Sequence, residues 1–137
     1  MSKKFVLDAC ALIALLKNED GADKVAAVYK QAETTDVEIL MNRVNLLEVY
    51  YGFYHDKGKD YADKIIDSIN HSIIIITEFD ELLFPEAGRL KASYKISLAD
   101  SIVLSQAMAT DGELLTTDHH EFDAVDGNEP IIFSWIR

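Results

Sequence analysis

Four acidic residues stand at positions where their carboxylates could act together: Asp8, Glu48, Asp100 and Asp118. Asp8 directly follows one short apolar run and Asp118 follows another, and each run reads as a buried strand. If those strands are parallel, both acids leave the same edge of the sheet, where ligands bind in such folds. Carboxylates that converge repel one another unless a cation neutralises them, and Mg²⁺ prefers oxygen ligands. The four acids therefore predict a divalent metal site.

Three of these acids also have a purely structural explanation. Asp8 is suited to cap a helix that begins at Ala9, and Asp118 is suited to cap a turn through His119 and His120. Ser97 and Asp100 have the spacing of a capping box, in which side chain and backbone groups pair reciprocally. Taken singly, each acid is explained about as well by capping as by metal binding.

Glu48 is harder to explain by capping. Helical spacing places it on one face with Val44, Leu47 and Tyr51, where a bare carboxylate is costly unless it is paired or binds a metal. Arg43 is the alternative partner for this charge. Glu48 could bind the metal directly or orient a water molecule beside it, and the sequence does not decide between these two roles.

The elements that must position these acids alternate along the chain. We predict strands at 4–8, 37–41, 73–76, 113–116 and 131–134, and helices at 9–17, 22–33, 44–54, 58–70, 81–94 and 98–110. Phe122 falls in a loop or a short helical turn. This alternation predicts an α/β fold with a doubly wound, mostly parallel sheet of about five strands flanked by helices. The isoleucine run at 73–76 is typical of a strand covered on both faces.

Length and composition favour one globular domain spanning 1–137. The chain has 137 residues, of which 49% are hydrophobic and 27% charged. Its one cysteine, Cys10, excludes an intrachain disulfide and favours a reducing, cytoplasmic location. No apolar stretch approaches the roughly 20 residues that span a bilayer, so no membrane association is expected.

The net charge is unusual for a protein that binds nucleic acid. Thirteen basic residues against 24 acidic ones give −11, the wrong sign for a broad basic surface. Either nucleic acid is not a partner, or the acids include a metal site and contact with nucleic acid is local. The basic residues available for such contact are Arg43, Arg89, Lys91 and Lys95. The charge also favours a basic partner segment.

Four segments, in this order and spacing, resemble the PIN domain family, and in particular the VapC-type toxins of prokaryotic toxin–antitoxin pairs. They are FVLDACALIALL at 5–16, NRVNLLEVYYG at 42–52, SLADSIVLSQA at 97–107 and LLTTDHHEF at 114–122. The resemblance implies that Asp8, Glu48, Asp100 and Asp118 surround one or two Mg²⁺ or Mn²⁺ ions. It also implies endoribonuclease activity on RNA, a homodimer and a cognate antitoxin protein. Thr116 corresponds to a family threonine that hydrogen-bonds just behind the metal ligands.

The sequence departs from the family pattern at three positions. Cys10 stands where a small hydroxyl or amide residue is common, and Asn42 and Asn45 stand where Ser and Thr are frequent. These departures bear on rate and metal preference more than on the fold. Two rival functions stay open: a catalytically silent PIN-like binding module, and a metal-dependent phosphatase or DNA nuclease. Cys10 as a nucleophile, and His119 with His120 as metal ligands, are weaker interpretations than packing and loop roles.

Overall fold

The sheet has five parallel strands in the order β3-β2-β1-β4-β5 in the computed structural model, which describes residues 3–137. The strands are β1 (Lys4–Leu7), β2 (Glu38–Asn42), β3 (Ile75–Thr77), β4 (Glu113–Thr116) and β5 (Phe133–Trp135). The helices are α1 (Ala9–Leu16), α2 (Ala22–Thr34), α3 (Arg43–Lys57), α4 (Lys59–Asn70), α5 (Phe84–Ser93), α6 (Leu98–Thr110) and α7 (His119–Phe122). The predicted α/β fold with a parallel sheet of about five strands is confirmed.

Helices cover both faces of the sheet, as a doubly wound fold requires. Side chains alternate between faces along each strand, so Phe5 and Leu7 join one apolar cluster and Val6 joins the other. The first cluster packs against α1 to α4, and the second packs against α5, α6 and α7. None of the helices within 3–137 is both long and apolar enough to cross a membrane.

The central strands bring distant residues to the same edge. β1 pairs in parallel with β4, in a register that sets Leu7 opposite Leu115. Asp8 therefore leaves the sheet beside Thr116, two residues before Asp118. The expectation that Asp8 and Asp118 emerge on the same side of the sheet, at the carboxyl ends of the strands, is confirmed.

Most predicted elements differ from the structure by one to three residues at their ends. Two of them differ in ways that have a physical explanation. The isoleucine run at 73–76 was expected to be covered on both faces, but β3 lies at the edge of the sheet and Ile75 is 42% exposed. An edge strand has a single neighbour, here β2, and the sequence of a strand does not reveal that position. The helix predicted at 81–94 begins only at Phe84, which puts Pro85 in the first turn, the part of a helix that tolerates proline.

Candidate metal-binding site

A cleft of about 220 Å³ opens beyond the carboxyl ends of β1 and β4. It is lined by Asp8, Ala9, Cys10, Glu48, Ser97, Asp100, Asp118 and Glu121. All four predicted acids thus share one cleft, together with a fifth, Glu121, that the sequence analysis did not single out. No Lys, Arg or His belongs to this lining among the residues that the structure describes. The cleft is therefore strongly acidic.

A larger groove, of about 330 Å³, lies between α3 and α4. It is lined by Arg43, Leu46, Leu47, Tyr50, Asp63 and Ile66. This lining is mainly apolar and contains one carboxylate, so the groove lacks the ligands for metal chemistry. The smaller, acidic cleft is the candidate site.

Asp8 is the most buried acid of the cleft, with 5% of its surface exposed. One carboxylate oxygen accepts a hydrogen bond from the backbone N–H of Ala11 at 2.8 Å and caps α1. The other accepts a hydrogen bond from the hydroxyl of Thr116. Burial raises the pKa of Asp8 to about 7, opposed by these hydrogen bonds and reinforced by the charges of Asp118 and Asp100. Without a cation, this carboxyl keeps its proton to a higher pH than an ordinary aspartic acid does.

Asp118 is held by the same threonine. Its backbone N–H donates to Thr116 Oγ1 at 3.0 Å, and its Oδ1 accepts from the backbone N–H of Glu121 at 3.2 Å. The second bond caps the four-residue helix α7. Within residues 3–137 its second oxygen, Oδ2, accepts no hydrogen bond, so capping leaves that oxygen available to a ligand.

Asp100 forms a complete capping box with Ser97. Its backbone N–H donates to Ser97 Oγ at 3.0 Å, and the Ser97 N–H donates to Asp100 Oδ2 at 3.2 Å. Burial raises the pKa of Asp100, hydrogen bonds from the side chain and backbone of Ser97 oppose the rise, and the charge of Asp118 adds to it. The capping explanations of Asp8, Asp100 and Asp118 are all correct, and the same caps hold these acids in the cleft.

The face assigned to Glu48 was wrong. Leu47 and Tyr51, expected to share a buried stripe with it, are 56% and 58% exposed. The buried face of α3 instead consists of Asn45, Leu46, Val49 and Phe53. Glu48 lies half-buried at the border of that face, where it lines the cleft.

Glu48 also lacks the basic partner suggested for it. Arg43 pairs with Glu78 at 2.6 Å instead. Burial raises the pKa of Glu48, and a hydrogen bond from the Asn45 amide opposes the rise. The charges of Asp100 and Asp118 raise it further, which adds to the repulsion within the cleft.

Cys10 lines the cleft, but its thiol stays protonated. Burial raises the pKa of Cys10 to about 12, and the charges of Asp8 and Asp118 add to this effect. Since the thiolate is the reactive form, the interpretation of Cys10 as a nucleophile is not supported.

His119 and His120 belong to the short helix α7 rather than to a loop, and neither lines the cleft. The His119 ring stacks on Trp135 with a centroid distance of 3.8 Å. Its two nitrogens lie 3.0 Å from Asp123 Oδ1 and 2.9 Å from the backbone oxygen of Arg137. His119 therefore connects α7 to Trp135 of β5 and to Arg137.

The donor set of the cleft fits a hard divalent cation. Among the residues that the structure describes, five carboxylates line the cleft and no basic side chain does, and the most buried of these acids has a raised pKa. A divalent cation such as Mg²⁺ or Mn²⁺ would neutralise this negative charge. Within 3–137, however, no three His, Cys, Asp or Glu side chains form a ready-made metal shell.

Comparison with known proteins identifies the family. The sequence profile of the PIN domain matches residues 5–128, which is most of the chain. The chain therefore belongs to the PIN domain family. No curated protein sequence is significantly similar to it.

Several solved structures share the fold. VapBC2 of Rickettsia felis, bound to a DNA fragment from their promoter, is 21% identical with a TM-score of 0.74, over 96% of this chain and 98% of that one. DNA-bound VapBC of Salmonella typhimurium is 14% identical with a TM-score of 0.73, over 100% of both chains. VapC20 of Mycobacterium tuberculosis, a sarcin-ricin loop cleaving toxin, is 12% identical with a TM-score of 0.70, over 89% of this chain and 95% of that one. At these identities the similarity shows a common fold.

Proposed function

We propose that this protein is a metal-dependent endoribonuclease and the toxin of a VapBC-type toxin–antitoxin pair. The observation that carries the proposal is the cleft lined by Asp8, Glu48, Asp100 and Asp118, to which residues 3–137 contribute no basic side chain. It lies at the carboxyl edge of a parallel sheet in a PIN-family chain, where α/β folds bind their ligands. The similarity in fold to several VapBC structures supports the toxin assignment.

The hydrogen bonds of each acid support the role that we propose for it. Asp8, Asp100 and Asp118 would hold Mg²⁺ or Mn²⁺, with Thr116 and the helix caps fixing their orientation. When bound, the ion lowers the pKa of water and offsets negative charge on the phosphate. Glu48 completes the set, either as a further ligand or as the group that accepts a proton from the attacking water. Burial raises the pKa of Glu48, which makes its carboxylate a stronger base than an exposed glutamate.

We propose single-stranded or loop RNA as the substrate, in line with the loop-cleaving activity named for the Mycobacterium tuberculosis relative. Arg43 and Arg89 are weak candidates for binding the RNA backbone, because acids already pair with them. Arg43 contacts Glu78, and Arg89 contacts Glu129 at 2.5 Å. Lys95 is a better candidate, since it is exposed and lies two residues before Ser97 of the cleft.

A cognate antitoxin and a second copy of the chain are the proposed protein partners, and the cytoplasm the proposed location. The acidic cleft and the net charge of −11 favour an antitoxin segment with basic or aromatic side chains. The exposed apolar side chains of α3, including Leu47 and Tyr51, support a homodimer. Sedimentation of the purified protein over a range of concentrations tests the dimer, and a monomer throughout would contradict it.

The substrate is tested by a panel that separates the rival functions. The purified protein, with Mn²⁺, is given end-labelled structured RNA, single-stranded and duplex DNA of the same sequence, and a generic phosphomonoester. We expect cuts in RNA alone, at few positions. Hydrolysis of the phosphomonoester or of DNA with RNA intact would contradict the ribonuclease proposal and favour a metal-dependent phosphatase or DNA nuclease. Folded protein that binds no Mn²⁺ and cuts nothing would favour the silent binding module.

A further inference from the structure

A buried amide joins the two helices that carry Glu48 and Asp100. Asn45 lies on α3, one turn before Glu48, and is 1% exposed. Its Nδ2 donates to the backbone oxygen of Ala99 at 3.2 Å and to Glu48 Oε1 at 3.4 Å. Ala99 lies in the first turn of α6, immediately before Asp100. One amide group therefore links the side chain of one acid to the backbone beside another.

The orientation of the Asn45 amide follows from its neighbours. An Asn side chain has a donor end and an acceptor end, and only the hydrogen-bond network distinguishes them. The backbone oxygen of Ala99 and the carboxylate of Glu48 are both acceptors, so the NH₂ group must lie between them. This leaves Oδ1 of Asn45 buried with no hydrogen-bond partner anywhere in residues 3–137.

That orphaned oxygen makes Asn45 a poor choice for stability alone. A buried acceptor without a partner costs about 1–3 kcal/mol, and most buried polar atoms are satisfied. An apolar side chain at this position would avoid the cost. A local rule broken at a site rich in functional groups points to a role in that site.

The amide also does what a hydroxyl at this position would not do. The family resemblance places Ser or Thr here frequently, and such a side chain has a single proton to donate. The two protons of the Asn45 amide reach Ala99 and Glu48 at once. We propose that Asn45 is a positioning residue, which holds the Glu48 carboxylate at a fixed place relative to Asp100 so that both serve one divalent ion. This inference rests on the proposed function of the cleft as a metal site.

The test uses three variants of the full chain. Asn45→Leu keeps the number and branching of the side-chain heavy atoms and removes both donors, and Asn45→Ser restores one. Gln106→Leu is the matched control, because Gln106 is also a buried amide, on α6, and accepts hydrogen bonds from Asn42 Nδ2 at 3.2 Å and Thr77 Oγ1 at 2.8 Å. It does not line the acidic cleft. Thermal unfolding, Mn²⁺ affinity by calorimetry, and kcat and KM for RNA cleavage are measured for each.

We expect Asn45→Leu to weaken Mn²⁺ binding by roughly 10- to 100-fold, the usual effect of removing a group that orients metal ligands. Its unfolding temperature should stay close to that of the parent, since removal of the orphaned oxygen offsets the loss of the two hydrogen bonds to Ala99 and Glu48. Its kcat should fall while KM for RNA is unchanged, because Asn45 is buried away from the substrate. Asn45→Ser should fall between. Gln106→Leu should unfold at a lower temperature with unchanged Mn²⁺ affinity.

Parent-like Mn²⁺ affinity in folded Asn45→Leu would overturn the inference. So would a loss of affinity that Gln106→Leu shares. If Asn45→Leu fails to fold, Asn45→Ser carries the same test. The calorimetry needs no RNA, so a parent that binds Mn²⁺ and cuts no RNA would refute the ribonuclease proposal while the role of Asn45 is still decided. A parent that binds no Mn²⁺ overturns both.

Discussion

The hydroxyl of Thr116 donates a hydrogen bond to Asp8, a residue 108 positions earlier in the chain. Asp8 directly follows β1, and Thr116 is the last residue of the adjacent parallel strand β4. Both residues are buried. The same hydroxyl oxygen accepts the backbone N–H of Asp118 at 3.0 Å. One buried threonine thus joins two of the four acids and sets their relation at the edge of the sheet.

Replacing this threonine tests its effect on metal binding. In the parent protein, the hydrogen bond from the Thr116 hydroxyl lowers the pKa of Asp8. Thr116→Val keeps the shape of the side chain and removes that hydroxyl. The pKa of Asp8 should therefore rise above about 7, and since a ligand must be deprotonated, half-maximal Mn²⁺ binding should move to higher pH. The free energy of unfolding should fall by about 1–3 kcal/mol, because the Asp118 N–H loses its acceptor.

Thr110→Val is the matched control for that change. Thr110 is half-buried and donates to a backbone oxygen, that of Gln106 at 2.8 Å, but it does not line the cleft. It should leave the pH dependence of Mn²⁺ binding as it was. An unmoved pH dependence in Thr116→Val would show that the hydroxyl does not tune Asp8.

Asp8 should make the metal-free protein less stable as the pH rises. Its pKa is 3.8 in the unfolded chain and about 7 when folded, so between these values the folded state holds the extra proton. Stability is then lost as the pH rises through this window. One pKa unit corresponds to about 1.4 kcal/mol, so the loss is at most about 4 kcal/mol.

Asp8→Asn cannot ionise and should escape that loss. In chelator, denaturant unfolding should find the variant stabilised relative to the parent at about pH 8 but not at about pH 4. Added Mn²⁺ should stabilise the parent and leave the variant unchanged. Parallel pH curves for the two proteins would contradict the raised pKa of Asp8.

Cys10 should be dispensable for chemistry. Its pKa of about 12 keeps the thiol protonated, and Cys10→Ser supplies the hydroxyl that resembling proteins carry. We expect cleavage by Cys10→Ser at the parental rate or faster, and slow alkylation of the parent by iodoacetamide at neutral pH. Loss of cleavage in a folded Cys10→Ser protein would contradict this prediction and show that Cys10 is needed for catalysis.

Much of the fold could be predicted from the sequence, because strand and helix patterns alternate clearly and imply parallel crossovers. The positions of Asp8 and Asp118 followed from that rule alone. The order of the strands did not, since it depends on how crossovers stack, and β3 was therefore expected to be covered when it lies at the edge. The capping roles of Asp8, Asp100 and Asp118 were also foreseeable, because they depend on local spacing.

The face of α3 could not be read reliably. Apolar residues of α3 lie on more than one face, so their periodicity alone does not identify the buried face. Packing against the neighbouring elements buries the face that contains Val49 and Phe53. Asn45 was noted only as a departure from the family. A polar residue one turn before Glu48 in an apolar helix was the available signal. Its two acceptors lie on different elements, which only the tertiary structure brings together.

The most direct test of the central claim is RNA cleavage by the parent and by Asp100→Asn, each with Mg²⁺, with Mn²⁺ and with chelator. Asparagine keeps the shape of the side chain and removes its charge, and circular dichroism checks that the variant is folded. The account predicts discrete cuts by the parent with either metal, none in chelator, and none by Asp100→Asn. Cuts that persist in chelator, or in folded Asp100→Asn, would contradict it.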